Sequence, residues 1–327
     1  LQRCHSSLPH SAASLADLGV FMSMSKLQQS VTDRIIAKIE QGGLSAWMKP
    51  WVDIANRDKA MPYNFKTGNE YQGINILTLL IGAFENGYSH NCWLTFDQAL
   101  SLGGRVRKGE KSQHCIRYGV YEKEYDDQLK SYAFVKPFYL FNIEQIDGIE
   151  IPQTSDTPIR TIDDSILAIE TLVNQECDIT NLGYRMGGNR AFYAPALDLI
   201  KMPQGEFNSC SNYAATLAHE LIHATGHSKR TNRHHLFKDK FKDDAKASYA
   251  FEELVAELGA AMLCAEHGIV GEHLQHESYI DSWFNVLKRE PSMLLKAASH
   301  ASKAHHYLMR REAETENDNE VVIDIAA

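Results

Sequence analysis

The sequence lacks the closely spaced cysteines of a disulfide framework or of a cysteine zinc site. Its 327 residues include six cysteines, and no two of them form a CxxC pair. Disulfide-stapled secreted domains and zinc ribbons depend on such pairs. We therefore expect free thiols and a reducing, cytoplasmic location.

An excess of positive charge and a long apolar run are missing as well. The net charge is -9, with 33 Lys and Arg against 42 Asp and Glu. This balance excludes a uniformly basic nucleic-acid binder but allows a local basic patch. No segment reaches the roughly 18 unbroken apolar residues of a membrane span, so we expect no membrane partner.

The order of predicted elements indicates an α+β fold. Apolar spacing and alternation predict, in the first half, helices over 26–41, 71–84 and 96–100 and a hairpin of strands 114–121 and 131–141. In the second half they predict helices over 162–175, 213–225, 249–267, 279–288 and 291–309 and strands over 184–186, 191–193 and 197–202. The segment 187–190 carries a hairpin signal between the first two of these strands. We expect a small antiparallel sheet packed on helices.

A polar, proline-bearing segment over 151–159 is the predicted linker between two domains. The N-terminal domain then covers 24–150 and the second domain covers 160–310. Residues 1–23 are expected to be a disordered or upstream extension, and the acidic end 311–327 a disordered tail.

The motif with the most specific chemistry is His219-Glu220-Leu221-Ile222-His223. Residues four apart share one face of a helix, so His219 and His223 can direct both imidazoles at one ion. Glu220 follows His219 and can reach a water beside that ion, where it acts as the general base for attack on a carbonyl. The motif predicts a zinc (Zn2+) hydrolase of the metallopeptidase type.

A catalytic zinc ion needs a third protein ligand. The metzincin pattern requires a histidine at position 229, where this chain has Lys229. The gluzincin pattern takes a glutamate from the next helix, and Glu253 and Glu257 stand there at i, i+4. This spacing resembles that of thermolysin-like enzymes and favours Glu253 as the ligand, with Glu257 accepting from a ligand histidine. The reverse assignment, with Glu257 as the ligand, stays open. His227 also stays open as a fourth ligand or as a residue that hydrogen-bonds to a ligand.

Aromatic and basic residues cluster in the first half, over 47–51, 64–75, 93–96 and 103–111. Phosphates attract basic side chains, and aromatic faces stack on unpaired bases at about 1–3 kcal/mol per base. The alternative is that the tryptophans are core residues and the basic segment is a solvated loop.

The sequence resembles the ArdC-type plasmid antirestriction proteins. The resemblance rests on segments 47–51, 67–75, 93–96, 104–111, 200–203, 213–227 and 249–257, in the family's order. It implies an N-terminal single-stranded-DNA-binding domain, a zincin-like metallopeptidase domain with His219, Glu220 and His223 at catalytic positions, and protection of incoming plasmid DNA from restriction during conjugation. It also implies a set of single-stranded DNA contacts: Trp47, Lys49, Trp51, Lys66, Tyr71, Asn75, Trp93, Phe96, Arg105, Arg107, Lys108 and Lys111.

Three other interpretations stay open. The first is a DNA-binding protein whose zinc site is structural or vestigial, which leaves Glu220 without a use. The second is a zinc nuclease, although phosphodiester cleavage usually uses paired metals and clustered aspartates. The third keeps the peptidase and makes the N-terminal domain a protein-binding module. The peptide substrate and the oligomeric state do not follow from the sequence.

Overall fold

The computed structural model describes residues 31–37, 59–125, 128–151, 161–205, 207–235, 245–269 and 292–309, together with Gln29, Glu40, Leu287 and Glu290. Over these residues the fold is α+β, as predicted. The extension 1–23, the tail 311–327 and, apart from Leu287, the helix predicted over 279–288 lie outside them. Of the helix predicted over 26–41, residues 31–37 are described and are helical.

Two short helices and two small sheets make up most of the N-terminal half. Helix α1 is Ile74–Asn86, and helix α2 is Phe96–Ser101. The α2 helix begins at Thr95, whose side chain accepts a hydrogen bond from the backbone of Gln98, as expected of an N-cap. The first sheet has the order β1 (Tyr63–Asn64), β2 (Cys92–Leu94), β5 (Gln128–Asn142), β4 (Gln113–Tyr125), and the second pairs β3 (Arg105–Val106) with β6 (Ile146–Asp147).

The predicted hairpin in this half is confirmed. Strands β4 and β5 pair antiparallel from Gln113 with Leu140 to Tyr125 with Gln128. Both strands are longer than the alternating apolar pattern indicated. The pairing continues through residues whose sequence does not alternate because the ladder is held by backbone hydrogen bonds as well as by side chains.

The described part of the C-terminal half includes four helices and a three-stranded sheet. The helices are α3 (Ile162–Thr180), α4 (Cys210–Thr225), α5 (Ala245–Glu266) and α6 (Ser292–Met309). The strands are β7 (Gly183–Met186), β8 (Phe192–Ala194) and β9 (Leu199–Met202).

The predicted hairpin of the first two strands of this sheet is wrong. The sheet order is β7-β9-β8, so β9 lies between the strands that flank the glycine-rich segment. Strand β9 runs parallel to β7 and antiparallel to β8. The tight turn comes one connection later, before β9, where Asp198 adopts a left-handed backbone with φ of 48°. Only the β8–β9 pair is antiparallel, which corrects the expected all-antiparallel sheet.

Close packing of α4 against α5 brings the two motif-bearing helices together. A Cβ added to Gly259 of α5 would lie 2.8 Å from the Cδ1 atom of Ile222 on α4. Any larger residue there would push the helices apart. The main core includes residues of both halves of the chain, among them Leu77 and Ile116 from the first and Leu221 and Leu294 from the second.

No helix in the part of the chain that the structure describes is long and apolar enough to cross a membrane.

Candidate functional site

Helix α4 presents the HExxH residues on a largely buried surface. The helix begins at Ser209, whose hydroxyl accepts a hydrogen bond from the backbone N–H of Asn212 at 3.1 Å. It ends at Gly226, where an added Cβ would lie 2.3 Å from Nε2 of His234. The close approach of that ring requires glycine and fixes the end of the helix next to the site.

Three side chains converge at one point between α4 and α5. The Nε2 atoms of His219 and His223 are 3.1 Å apart. The carboxylate oxygens of Glu253 lie 3.4 Å from the first of these nitrogens and 3.5 Å from the second. Ligands bound at 2.0–2.1 Å around a tetrahedral zinc ion stand about 3.4 Å apart. The triangle therefore has the size and the donor set of a metal site, and it is the group of three with this potential among the described residues.

The electrostatics of this triangle favour a cation. Burial lowers the pKa of His223, but the carboxylates of Glu252 and Glu253 outweigh burial and raise that pKa to about 10. Burial likewise opposes a raised pKa at His219, where hydrogen bonding to Glu253 and the charge of Glu257 prevail. Burial raises the pKa of Glu253, yet the two histidines lower it well below its usual value. Positive charge is stabilised here.

Glu257 lies on the outer side of His219, away from the triangle. Its Oε1 atom lies 3.6 Å from Nδ1 of His219, on the ring edge opposite the Nε2 atom in the triangle. Burial raises the pKa of Glu257. Of the two glutamates of α5 that the sequence offered, Glu253 lies in the triangle and Glu257 lies on the outer side of His219.

His227, the alternative fourth ligand, lies apart from the triangle. Its Nδ1 atom is 3.7 Å from Asp198 and accepts a hydrogen bond from the backbone of Lys229 at 3.3 Å. Burial lowers the pKa of His227. Because its ring is directed at Asp198, the structure does not bring it to the other two histidines. Glu220, the residue after His219 on α4, is buried, and its charge acts on the His219 imidazole.

Two residues beside the triangle were missed by the sequence analysis. Glu252 lies 3.2 Å from Nδ1 of His223, and the buried guanidinium of Arg233 donates to Glu252. The doublet Glu252-Glu253 on an otherwise apolar helix was a usable signal for the first. No sequence pattern pointed to Arg233.

Four of the predicted DNA contacts have structural roles. Trp93 is 0% exposed and packs edge-on against Tyr88, so it offers no face to a base, which corrects that prediction. The Asn75 amide both donates to and accepts from the backbone of Ile116. The remaining two are Tyr71, which is half-buried and stacks on Phe138, and Arg107, whose guanidinium donates to Glu110 and to the carbonyl of Glu144.

Five other predicted contacts are exposed around α2 and β3, and we call them the α2–β3 surface: Lys66, Phe96, Arg105, Lys108 and Lys111. The Phe96 ring is 54% exposed. Lys66 donates to the Ser101 hydroxyl at the far end of α2, which places its ammonium group on the same short helix. The predicted contacts Trp47, Lys49 and Trp51 lie outside the described residues.

Comparison with known proteins identifies both halves of the chain. Residues 25–144 match the N-terminal domain of anti-restriction factor ArdC, and residues 171–300 match the zincin-like metallopeptidase family MPTase-PolyVal. The metal-free crystal structure of the antirestriction protein ArdC from plasmid R388 is 38% identical, with a TM-score of 0.68, over 87% of this chain and 97% of that one. The Mn(II)-bound structure of the same protein is 37% identical, with a TM-score of 0.67, over 88% of this chain and 98% of that one.

Curated relatives extend the comparison. DNA primase TraC of Escherichia coli is 32% identical over 299 residues, which are 85% of this chain and 19% of the primase. The chain thus spans about a fifth of that relative's length. The uncharacterized protein y4eC of Sinorhizobium fredii is 29% identical over 306 residues, 90% of this chain and 95% of that protein. Together with the match to ArdC of R388 over nearly its whole length, these findings show that the chain belongs to the ArdC family of antirestriction proteins, with an ArdC N-terminal domain and a zincin-like metallopeptidase domain.

Proposed function

We propose that this protein binds single-stranded DNA through its N-terminal half, hydrolyses peptide bonds at a zinc centre in its C-terminal half, and protects incoming plasmid DNA from restriction during conjugation. The peptidase part is carried by one observation, the triangle of two imidazole nitrogens and a carboxylate beside the buried Glu220. The antirestriction part is supported by the name of the R388 relative.

The donor set fits zinc. Two neutral imidazoles and one carboxylate are the three protein ligands of the thermolysin type, and their separations suit bonds of about 2.0–2.1 Å. We assign His219, His223 and Glu253 as these ligands. The R388 relative has a Mn(II)-bound crystal structure, which supports a divalent cation as the group that this family binds.

When bound, zinc supplies Lewis acidity, which acidifies water and polarises a peptide carbonyl. Glu220, the residue after His219 on α4, would take the proton of the attacking water and return it to the departing amine. Glu257 faces the outer edge of His219 at 3.6 Å, where its carboxyl group favours the ring orientation that keeps Nε2 toward the triangle. The apolar faces of α4 and α5 limit water around these groups, which strengthens their electrostatic interactions.

The DNA part is supported by the α2–β3 surface. Its cations can neutralise backbone phosphates, and the exposed ring of Phe96 offers a stacking platform for an unpaired base. The stacking interaction requires a base that is free of its partner strand, which favours single-stranded DNA as the ligand.

The test of the peptidase part is the Glu220→Gln variant, which keeps the shape of the side chain and removes the base. Cleavage of peptides and proteins should be measured for the wild type and for this variant, with zinc and single-stranded DNA present. We expect loss of hydrolysis with unchanged zinc content and unchanged DNA affinity. If neither protein cleaves any substrate while both bind DNA and protect from restriction, the centre is structural or vestigial and the peptidase proposal is wrong.

The DNA part is tested separately by titrating the full chain with fluorescent single-stranded and double-stranded oligonucleotides at several salt concentrations. Tighter binding of the single strand, weakening with salt, is expected. Absence of binding at low salt would leave the N-terminal half as a protein-binding module.

A further inference from the structure

Arg233 is a buried cation that donates hydrogen bonds to α4 and α5, the two helices that carry the proposed metal ligands. Its guanidinium is 1% exposed. The Nε and Nη2 atoms donate to the two carboxylate oxygens of Glu252 at 3.0 and 2.6 Å. The same group donates to the carbonyl oxygen of Ile222 and to the hydroxyl of Thr225, each at 3.0 Å. Arg233 thus joins the last turn of α4 to one carboxylate of α5.

Glu252 connects this cation to a proposed ligand. Its Oε1 atom, which receives the shorter bond from Arg233, also lies 3.2 Å from Nδ1 of His223 and 3.4 Å from Nε2 of His234. The Nε2 atom of His223, on the other edge of the ring, faces His219 and Glu253. The chain of contacts from Arg233 through Glu252 therefore reaches Nδ1 of His223, on the ring edge that points away from the triangle.

The charge on Glu252 decides what this contact can do. A buried carboxylate without a cation is strongly unfavourable, and a two-pronged arginine contact satisfies both of its oxygens. A carboxylate held ionised in this way only accepts hydrogen bonds. The imidazole nitrogen that faces it keeps its proton and donates to it, so the proton that a metal ion displaces is the one on the opposite nitrogen, Nε2, which faces the triangle.

We propose that Arg233 and Glu252 are positioning residues for the metal centre, holding His223 in the orientation and tautomer that make its Nε2 atom a ligand. The inference rests on the proposed function, because it concerns a ligand of the proposed zinc ion. It extends that function by assigning to the segment after α4 a part in forming the site.

A second buried pair on the same segment provides a matched control. Arg230 donates to Asp198 and to the carbonyl oxygen of Ala224, so this pair also braces the end of α4. Its carboxylate touches neither His219 nor His223 within the described structure. Glu252→Gln and Asp198→Asn each replace one buried carboxylate by its amide. The two variants therefore make the same chemical change, but only Glu252 contacts a proposed metal ligand.

The experiment measures Zn2+ affinity of the full chain by competition with a chromophoric chelator and the visible spectrum of the Co2+-loaded protein. We expect Glu252→Gln to lower Zn2+ affinity by about 10–100-fold, the usual effect of losing a partner behind a ligand, and to change the Co2+ spectrum. Asp198→Asn should lower thermal stability and leave both metal readouts as in the wild type. Equal affinities for Glu252→Gln and wild type, or equal losses in both variants, overturn the inference.

Arg233→Lys gives an independent comparison if Glu252→Gln does not fold. Lysine keeps the charge but loses the two-pronged geometry, so we expect a smaller loss of affinity with an altered Co2+ spectrum. An unchanged spectrum and affinity in this variant would make Arg233 a purely structural brace. A wild-type protein that binds no Zn2+ overturns the proposed metal centre itself, whereas equal binding by wild type and variants overturns only the positioning role.

Discussion

The metal centre and the α2–β3 surface place their charged groups in opposite environments. At the metal centre, carboxylates and imidazoles are buried between two packed helices, with Glu253 and Glu257 both under 10% exposed. On the α2–β3 surface, cations stand in solvent around a six-residue helix. Buried charges interact strongly and at fixed geometry, whereas exposed ones are screened within about 10 Å at 0.1 M salt. The first arrangement suits one tightly held ion and the second suits a long, mobile polyanion.

The largest effect expected from this contrast is at the metal centre. His223→Ala removes one corner of the triangle and takes away the imidazole that contacts both Glu252 and Glu253. We expect zinc content to fall from about one ion per chain to near zero. The loss of metal affinity should exceed the roughly 100-fold expected when a residue that only hydrogen-bonds to a ligand is replaced. Metal analysis of the purified protein checks this, and single-stranded DNA affinity serves as the control. Normal zinc content in the variant would contradict the ligand assignment.

The next largest effect is expected for a core residue of the N-terminal half, Trp93, and it acts on stability rather than on DNA binding. Trp93→Ala should lower the free energy of unfolding by about 3–5 kcal/mol, because it removes a fully buried aromatic side chain. Urea unfolding followed by fluorescence measures this change. The same substitution should leave the DNA affinity of the folded protein as it is. A selective loss of DNA affinity at wild-type stability would show that Trp93 contacts DNA after all.

Asp198 tests how the flank of the metal centre responds to pH. Burial raises its pKa, but hydrogen bonds from Arg230 and Tyr193 prevail and lower the pKa below the usual aspartate value. A lowered folded-state pKa contributes stability above the unfolded value of about 3.9 and loses it as pH falls through the folded value. We expect Asp198→Asn to cost about 1.5–3 kcal/mol at neutral pH.

The measurement is urea unfolding of wild type and Asp198→Asn from pH 7 to acid. The difference between the two proteins should stay constant at neutral pH and shrink below about pH 4, where the aspartate takes up its proton. A difference that grows toward acid would contradict the lowered pKa.

Phe96→Ala is the counterpart of Trp93→Ala on the exposed side. Its ring is more than half exposed, so the free energy of unfolding should change by no more than about 0.5 kcal/mol. Single-stranded DNA binding should weaken by about 1–3 kcal/mol through loss of stacking. Fluorescence anisotropy with a labelled oligonucleotide measures the affinity. Unchanged affinity would remove Phe96 from the DNA surface.

The smallest effect concerns single charges. Replacing Arg105 or Lys108 by glutamine should reduce the slope of log K against log salt by about one for each lost phosphate contact. Arg107→Gln is the matched control, because Arg107 is already bonded to Glu110. Equal changes in slope for all three variants would mean that the surface acts through net charge rather than through particular contacts.

Local sequence signals accounted for the metal-bearing helices better than for the sheets. The apolar periodicity around His219 and Glu253 predicted α4 and α5, because helical spacing is set within a few residues. The order β7-β9-β8 could not be read from the glycines at 187 and 188, since a turn signal does not say which strand will be the neighbour.

Residues whose roles depend on distant packing were the ones that the sequence misassigned or missed. Trp93 carries the same side chain whether it lies in the core or on a surface, and only its packing against Tyr88 and α1 decides between them. Arg233 meets Glu252 across a segment of 19 residues. No spacing rule links two such positions, because they are too far apart in sequence to share one local pattern.

The contact between Gly259 and Ile222 has a consequence for folding as well as for the site. The proposed ligands on α4 and α5 stand together only when these helices are packed, so an unfolded chain offers no comparable site. A ligand that binds only the native state adds RT ln(1 + [L]/Kd) to its stability, about 2.7 kcal/mol at a hundredfold excess over Kd. If the proposed ligands bind a metal ion, we expect its availability to raise the stability of the folded protein and a chelator to lower it.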